Sequence, residues 1–95
     1  MRMAARKDRN HNEIADIFLK FGWSVLDISR LKNCCDMFVS KAGRTVALEV
    51  KDGLLPQSKR KLTEGEAVFM KSWGGEYRII TSVDEALKVV NEIID

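Results

Sequence analysis

Between Asn10 and Phe21 the apolar residues Ile14, Ile17, Phe18 and Phe21 recur at helical spacing and Gly22 follows, so the pattern predicts a helix that stops at the glycine. From Trp23 to Ser29 the chain alternates as a half-buried strand does, and Asp36 to Val39 reads as a second, short strand. Ser40 to Gly43 is a hairpin turn, and Arg44 to Lys51 is the clearest strand of the chain. A polar loop with Gly53 and Pro56 covers Asp52 to Lys61. Thr63, three residues before Glu66, then opens a helix as a capping box; it runs through Phe69 and Met70 to Trp73 and ends at Gly74 and Gly75. Glu76 to Ile80 is a fourth strand. Ser82 and Glu85 cap a last helix with the stripe Val83, Ala86, Leu87, Val90 and Ile94. The order is α-β-β-β-α-β-α. Strands joined by short turns and then a helical crossover predict an α/β fold with a mixed central sheet flanked by helices.

The 95 residues suffice for one domain spanning 1–95, with no repeat or linker to divide it. At 45% apolar and 32% charged, with a single proline, the composition is that of a globular domain and excludes disordered and fibrous classes. No apolar run approaches a membrane span and the start lacks an export signal, so a cytoplasmic protein is expected, without a membrane partner. The net charge of +2 hides an uneven distribution. Basic residues collect in an N-terminal arm (Arg2, Arg6, Lys7, Arg9) and again in Lys51, Lys59, Arg60 and Lys61. Such segments can meet a polyanion or simply be solvated. Cys34 and Cys35 are adjacent, without a second pair for a zinc site, and are expected to be reduced thiols.

In the third strand Val46, Leu48 and Val50 share one face, and Thr45, Ala47, Glu49 and Lys51 the other. That polar side could simply face water, and an acid-x-Lys triplet proves nothing alone in so charged a chain. Asp36, on the preceding strand, can bring its carboxylate to that of Glu49. Two adjacent carboxylates stay ionised together only beside a cation, and a hard cation such as Mg²⁺ takes its remaining ligands from water and phosphate. Lys51 can reach a phosphate or an attacking water as a point charge. The set matches what metal-assisted phosphodiester hydrolysis requires. Glu13, four residues before Ile17, either faces the sheet as a third acid or is an exposed helix acid. If Lys51 lies on an exposed face, Lys51→Ala should change stability by no more than about 0.5 kcal/mol.

Asp36 followed thirteen positions later by Glu49-Val50-Lys51 resembles the PD-(D/E)XK nuclease signature. More narrowly, the stretches 35–39, 43–53, 61–66 and 81–87 resemble the VRR-NUC branch, in its small stand-alone form from phages and bacteria. The resemblance implies a restriction-endonuclease-like fold and a Mg²⁺- or Mn²⁺-dependent endonuclease acting on structured DNA. Holliday-junction resolution and DNA repair are among the roles it suggests, in a bacterial or phage-infected cell. It makes Asp36, Glu49, the main-chain carbonyl of Val50 and Glu13 metal ligands, with Lys51 activating the water. Cys35 stands where the family name has proline, and Glu66 where the family often has glutamine; Glu66 is read as the capping partner of Thr63.

Lys59, Arg60 and Lys61 would emerge beside the metal and hold DNA phosphates, contacts that position without reading sequence. A chain this small gives little surface for a branched substrate, which suggests a homodimer. His11 is expected at the surface or a helix cap, and Trp23 and Trp73 as core or interface anchors. The alternatives are a DNA-binding module that does not cut and a nuclease subunit active only with a larger partner.

Overall fold

The structure, a computed structural model, describes residues 7–92. The elements follow the expected order: helix α1 (His11–Lys20), strands β1 (Ser24–Asp27), β2 (Met37–Lys41) and β3 (Arg44–Val50), helix α2 (Glu64–Ser72), strand β4 (Glu76–Ile80) and helix α3 (Val83–Val90). The sheet runs β1-β2-β3-β4; β1-β2 and β2-β3 pair antiparallel, and β3-β4 parallel. The parallel pair is the consequence of the α2 crossover. Arg2 and Arg6 of the basic arm, and Ile94 of the last stripe, lie outside the described residues. No helix among the described residues is long and apolar enough to cross a membrane.

One face of the sheet carries the core. Ile14 and Phe18 of α1, Ala86, Val89 and Val90 of α3, and Trp23 pack on Met37, Val39, Val46, Leu48 and Val50. Trp23 stands edge-on to Phe18, ring centroids 5.1 Å apart. Ala42 and Gly43 both take positive φ in a two-residue turn, which joins β2 to β3 without splaying them. At the start of β3, Arg44 grips Glu76 with two bonds of 2.6 Å and also reaches Glu92, which Arg78 holds as well. This ties α3 to the sheet at the end away from Glu49.

The polar side of β3 is not open to water. Ala47 and Glu49 are buried along with Val46, Leu48 and Val50. Phe38 and Tyr77 flank Ala47 in register on that face, and Phe69 of α2 and Trp73, which caps the C-terminus of α2, lie against them, with centroids 5.2 Å apart for Phe38–Trp73 and 6.2 Å for Phe69–Tyr77. Alternation alone could not predict this second cover, because a strand does not say what packs on its polar side.

The loop after β3 contains a 3₁₀ turn, Gln57–Lys59, and begins with a tight contact. Gly53 N–H donates to Thr81 O at 3.1 Å, and a Cβ at position 53 would stand 2.6 Å from that same oxygen. The obstacle is backbone in the segment following β4, so it cannot swing aside. Gly53→Ala should therefore cost about 1–3 kcal/mol, read as a fall of several degrees in the thermal midpoint; an unchanged midpoint would show that the loop yields freely.

Candidate active site

Asp36 sits immediately before β2 rather than within it, yet it continues the ladder. Its N–H donates to Leu48 O at 2.9 Å, and its carbonyl accepts from Ile28 N–H at 2.9 Å. Since Met37 pairs with Leu48, the residue opposite Asp36 is Glu49. Asp36 Oδ2 also accepts the Val50 N–H at 2.7 Å, which fixes its carboxylate over the end of β3. The two carboxyl groups lie within hydrogen-bonding reach of one another.

Glu49 is 3% exposed. Burial first, then Asp36 and Glu66, pushes its carboxyl up to about 9, against the pull of Lys51. Burial also raises Asp36, opposed by the Val50 N–H. Lys51 Nζ stands 3.5 Å from Glu49 Oε2 and donates to Glu66 Oε1 at 2.9 Å. Its side chain is 12% exposed, so the expectation of an exposed-face lysine does not hold. Burial works to lower the Lys51 ammonium, and Glu66 and Glu49 together outweigh it, so Lys51 is held charged.

Glu66 does two jobs with one oxygen. The capping box is present: Thr63 N–H donates to Glu66 Oε1 at 2.9 Å, and Glu66 N–H donates to Thr63 Oγ1 at 3.2 Å. The same Oε1 anchors Lys51, so the cap of α2 also aims the lysine. Burial favours its neutral form, but the Thr63 N–H and Lys51 prevail and Glu66 lies below its ordinary value.

These groups surround a cleft of about 280 Å³. Asp36, Glu49, Val50, Lys51 and Glu66 line it, and so does Asp8, which sequence reasoning did not single out. Burial raises the Asp8 carboxyl while Lys51 lowers it. Glu13 is not among the lining residues. It is 63% exposed, pairs with Arg9 at 4.0 Å, and borders a separate groove. The reason is the direction of α1: Ile14 and Phe18 point into the core while Ile17 is only half-buried, so the position four before Ile17 turns outward.

Segments on either side hold the end of β3 in place. Asn10, buried, donates from Nδ2 to Lys51 O at 3.2 Å and to Thr81 O at 3.0 Å. Arg9 forks onto Asp52 with bonds of 3.1 and 3.0 Å. His11 is 1% exposed, not at the surface; its Nε2 meets Asp27 Oδ2 at 3.0 Å, and Asp27 Oδ1 accepts from both the N–H and hydroxyl of Ser29. Cys34 and Cys35 are free thiols on the cleft wall, and burial pushes Cys35 up to about 12, which makes it inert. Arg60 and Lys61 line a neighbouring pocket that shares Lys51 with the cleft; Lys59 lies outside both.

Among the described residues no three His, Cys, Asp or Glu side chains gather as a ready metal cage. Two converging carboxylates with an adjacent main-chain carbonyl nevertheless suit a hard cation, which retains several waters and asks for one or two carboxylates. Lys51 does not by itself offset the burial of Glu49 and its crowding by Asp36 and Glu66, and a bound divalent cation would relieve both. No protein-family model matches the chain, and no curated protein or solved structure matches it.

Proposed function

We propose that the chain is a divalent-metal-dependent DNA endonuclease, a phosphodiester hydrolase of the VRR-NUC branch of the PD-(D/E)XK nucleases with their restriction-endonuclease-like fold. The observation that carries this reading is the facing pair Asp36 and Glu49 with Lys51 Nζ 3.5 Å from Glu49, all in one cleft. Asp36, Glu49 and the Val50 carbonyl would hold Mg²⁺ or Mn²⁺. When bound, the ion supplies Lewis acidity toward the phosphodiester and its attacking water. Lys51, kept charged and aimed by Glu66, offers its ammonium to the water and to the negative charge that develops on the phosphate. Asn10 fixes the backbone from which Lys51 projects. Lys59, Arg60 and Lys61 supply cations for neighbouring phosphates.

Asp8 takes the place of Glu13 as the acid contributed from the N-terminal side. Its charge adds to the field that attracts the ion, whereas the Glu13 charge is spent on solvent and Arg9. Asp8→Asn should weaken Mn²⁺ binding about threefold to tenfold, read by calorimetric titration, and Glu13→Gln should leave it unchanged. The reverse ranking would return Glu13 to the site.

The resemblance favours branched DNA, cut by a homodimer that sets two sites on two strands of a junction in the cytoplasm of a bacterial or phage-infected cell. Light scattering with and without DNA tests the assembly; a monomer under both conditions removes it. Cleavage of a labelled four-way junction beside a linear duplex, each in Mg²⁺, Mn²⁺ and EDTA, tests the activity and substrate. Metal-dependent cutting, faster on the junction, is expected. Binding without cutting in either metal would leave a DNA-binding module or a subunit awaiting a partner.

A further inference from the structure

On the other side of Lys51 a second pocket of about 530 Å³ opens against the outer edge of β4. Lys51, Arg60 and Lys61 line it with Gln57, Ile79 and Thr81, and among the described residues no carboxylate does. Arg9, Arg44 and Arg78 give their guanidinium groups to carboxylates. Arg60 does not: its Nε is buried and meets no acceptor. Trp23 Nε1 and Tyr77 Oη are also buried without a partner, but of these donors only Arg60 carries a charge and borders this pocket, where a ligand oxygen can meet it.

Register ties this pocket to the cleft. Glu49 and Ile79 are partners across the parallel β3-β4 pair, and adjacent strands are about 4.8 Å apart. A phosphodiester chain laid across the sheet from Asp36 therefore passes the carboxylates, crosses Lys51 and enters the pocket. The volume lies within the range of small-ligand sites. A base enters such a pocket only when it has left its stack, since the duplex interior is closed to it. Ile79, 42% exposed on the edge strand, presents an apolar surface to a sugar or base, while the cations face the backbone.

We infer that this pocket takes one unstacked nucleotide next to the scissile phosphodiester, its phosphate on Arg60 and Lys61, so that the chain engages a single-stranded or splayed strand in preference to continuous duplex. The assignment rests on the nuclease reading of the neighbouring cleft. Its test is binding in EDTA, where nothing turns over. Fluorescence anisotropy of a labelled single-stranded oligonucleotide, and of the same strand in a duplex, would be measured for the wild type, Arg60→Gln and Ile79→Glu across a salt series. The wild type should bind the single strand more tightly. Arg60→Gln should lose about tenfold on the single strand, with the slope of log affinity against log salt reduced by about 0.7. Ile79→Glu sits on an exposed edge and should fold whatever happens to Arg60→Gln; it should weaken the single strand by a similar factor and the duplex much less. No loss in either variant, equal loss on single strand and duplex, or no single-strand binding by the wild type would each overturn the pocket. Failure of the wild type to cut DNA in Mn²⁺ would remove the nuclease reading alone, and the binding result would still decide the pocket.

Discussion

Lys51→Met is expected to slow DNA cutting by about 10²–10³-fold while DNA binding persists. Lys32 also lines the cleft, but the Lys51 ammonium is the cation held beside Glu49, where it can act on the attacking water and on the developing negative charge without being a metal ligand. Glu66 and Glu49 hold it in position at 2.9 and 3.5 Å. The same contacts give the variant a second consequence. Removing Lys51 leaves the ionised, half-buried Glu66 without its cation, so stability should fall by about 1–3 kcal/mol, more than a surface change allows. Single-turnover cleavage and a denaturant melt on the same sample separate the two effects. Cutting at the wild-type rate would remove Lys51 from the chemistry, and unchanged stability would mean that Glu66 finds another partner.

Glu49→Gln should separate function from stability in the opposite sense. An unfolded chain releases this proton near 4.5, whereas the folded protein holds it up to about 9. Between those values the folded state binds the extra proton, so its stability falls as pH rises through the window. Glutamine keeps the shape of the protonated acid and carries no such slope. The variant should match the wild type near pH 5 and exceed it near pH 9 in the absence of metal. Mn²⁺ reverses the ranking: it should raise the melting temperature of the wild type at pH 8, much less at pH 5 where protons compete, and not that of the variant. Parallel pH–stability curves in EDTA would place the Glu49 carboxyl in ordinary solvent and remove the basis for a cation there.

Much of this was legible in the chain itself. Alternation through Arg44–Lys51 gave β3, the capping residues Thr63 and Ser82 gave the helix starts, and Asp36 opposite Glu49 followed from a short hairpin. His11 could have been found, since it lies three before Ile14 and seven before Phe18 on the stripe that is buried. Asp8 could not: it precedes α1, where no periodicity assigns a direction. Glu13 stays open in the sequence between an acid that faces the sheet and an exposed one, because Ile17, four residues on, is only partly buried at the margin of the stripe. The contact of Glu66 with Lys51 needed the crossover of α2 over the end of β3, a placement that no local pattern encodes.

The most direct measurement is cleavage of labelled branched DNA by wild type and Glu49→Gln, each in Mn²⁺ and in EDTA. The account predicts cutting only by the wild type and only with the metal. Equal cutting by the variant, or cutting that survives EDTA, would contradict it.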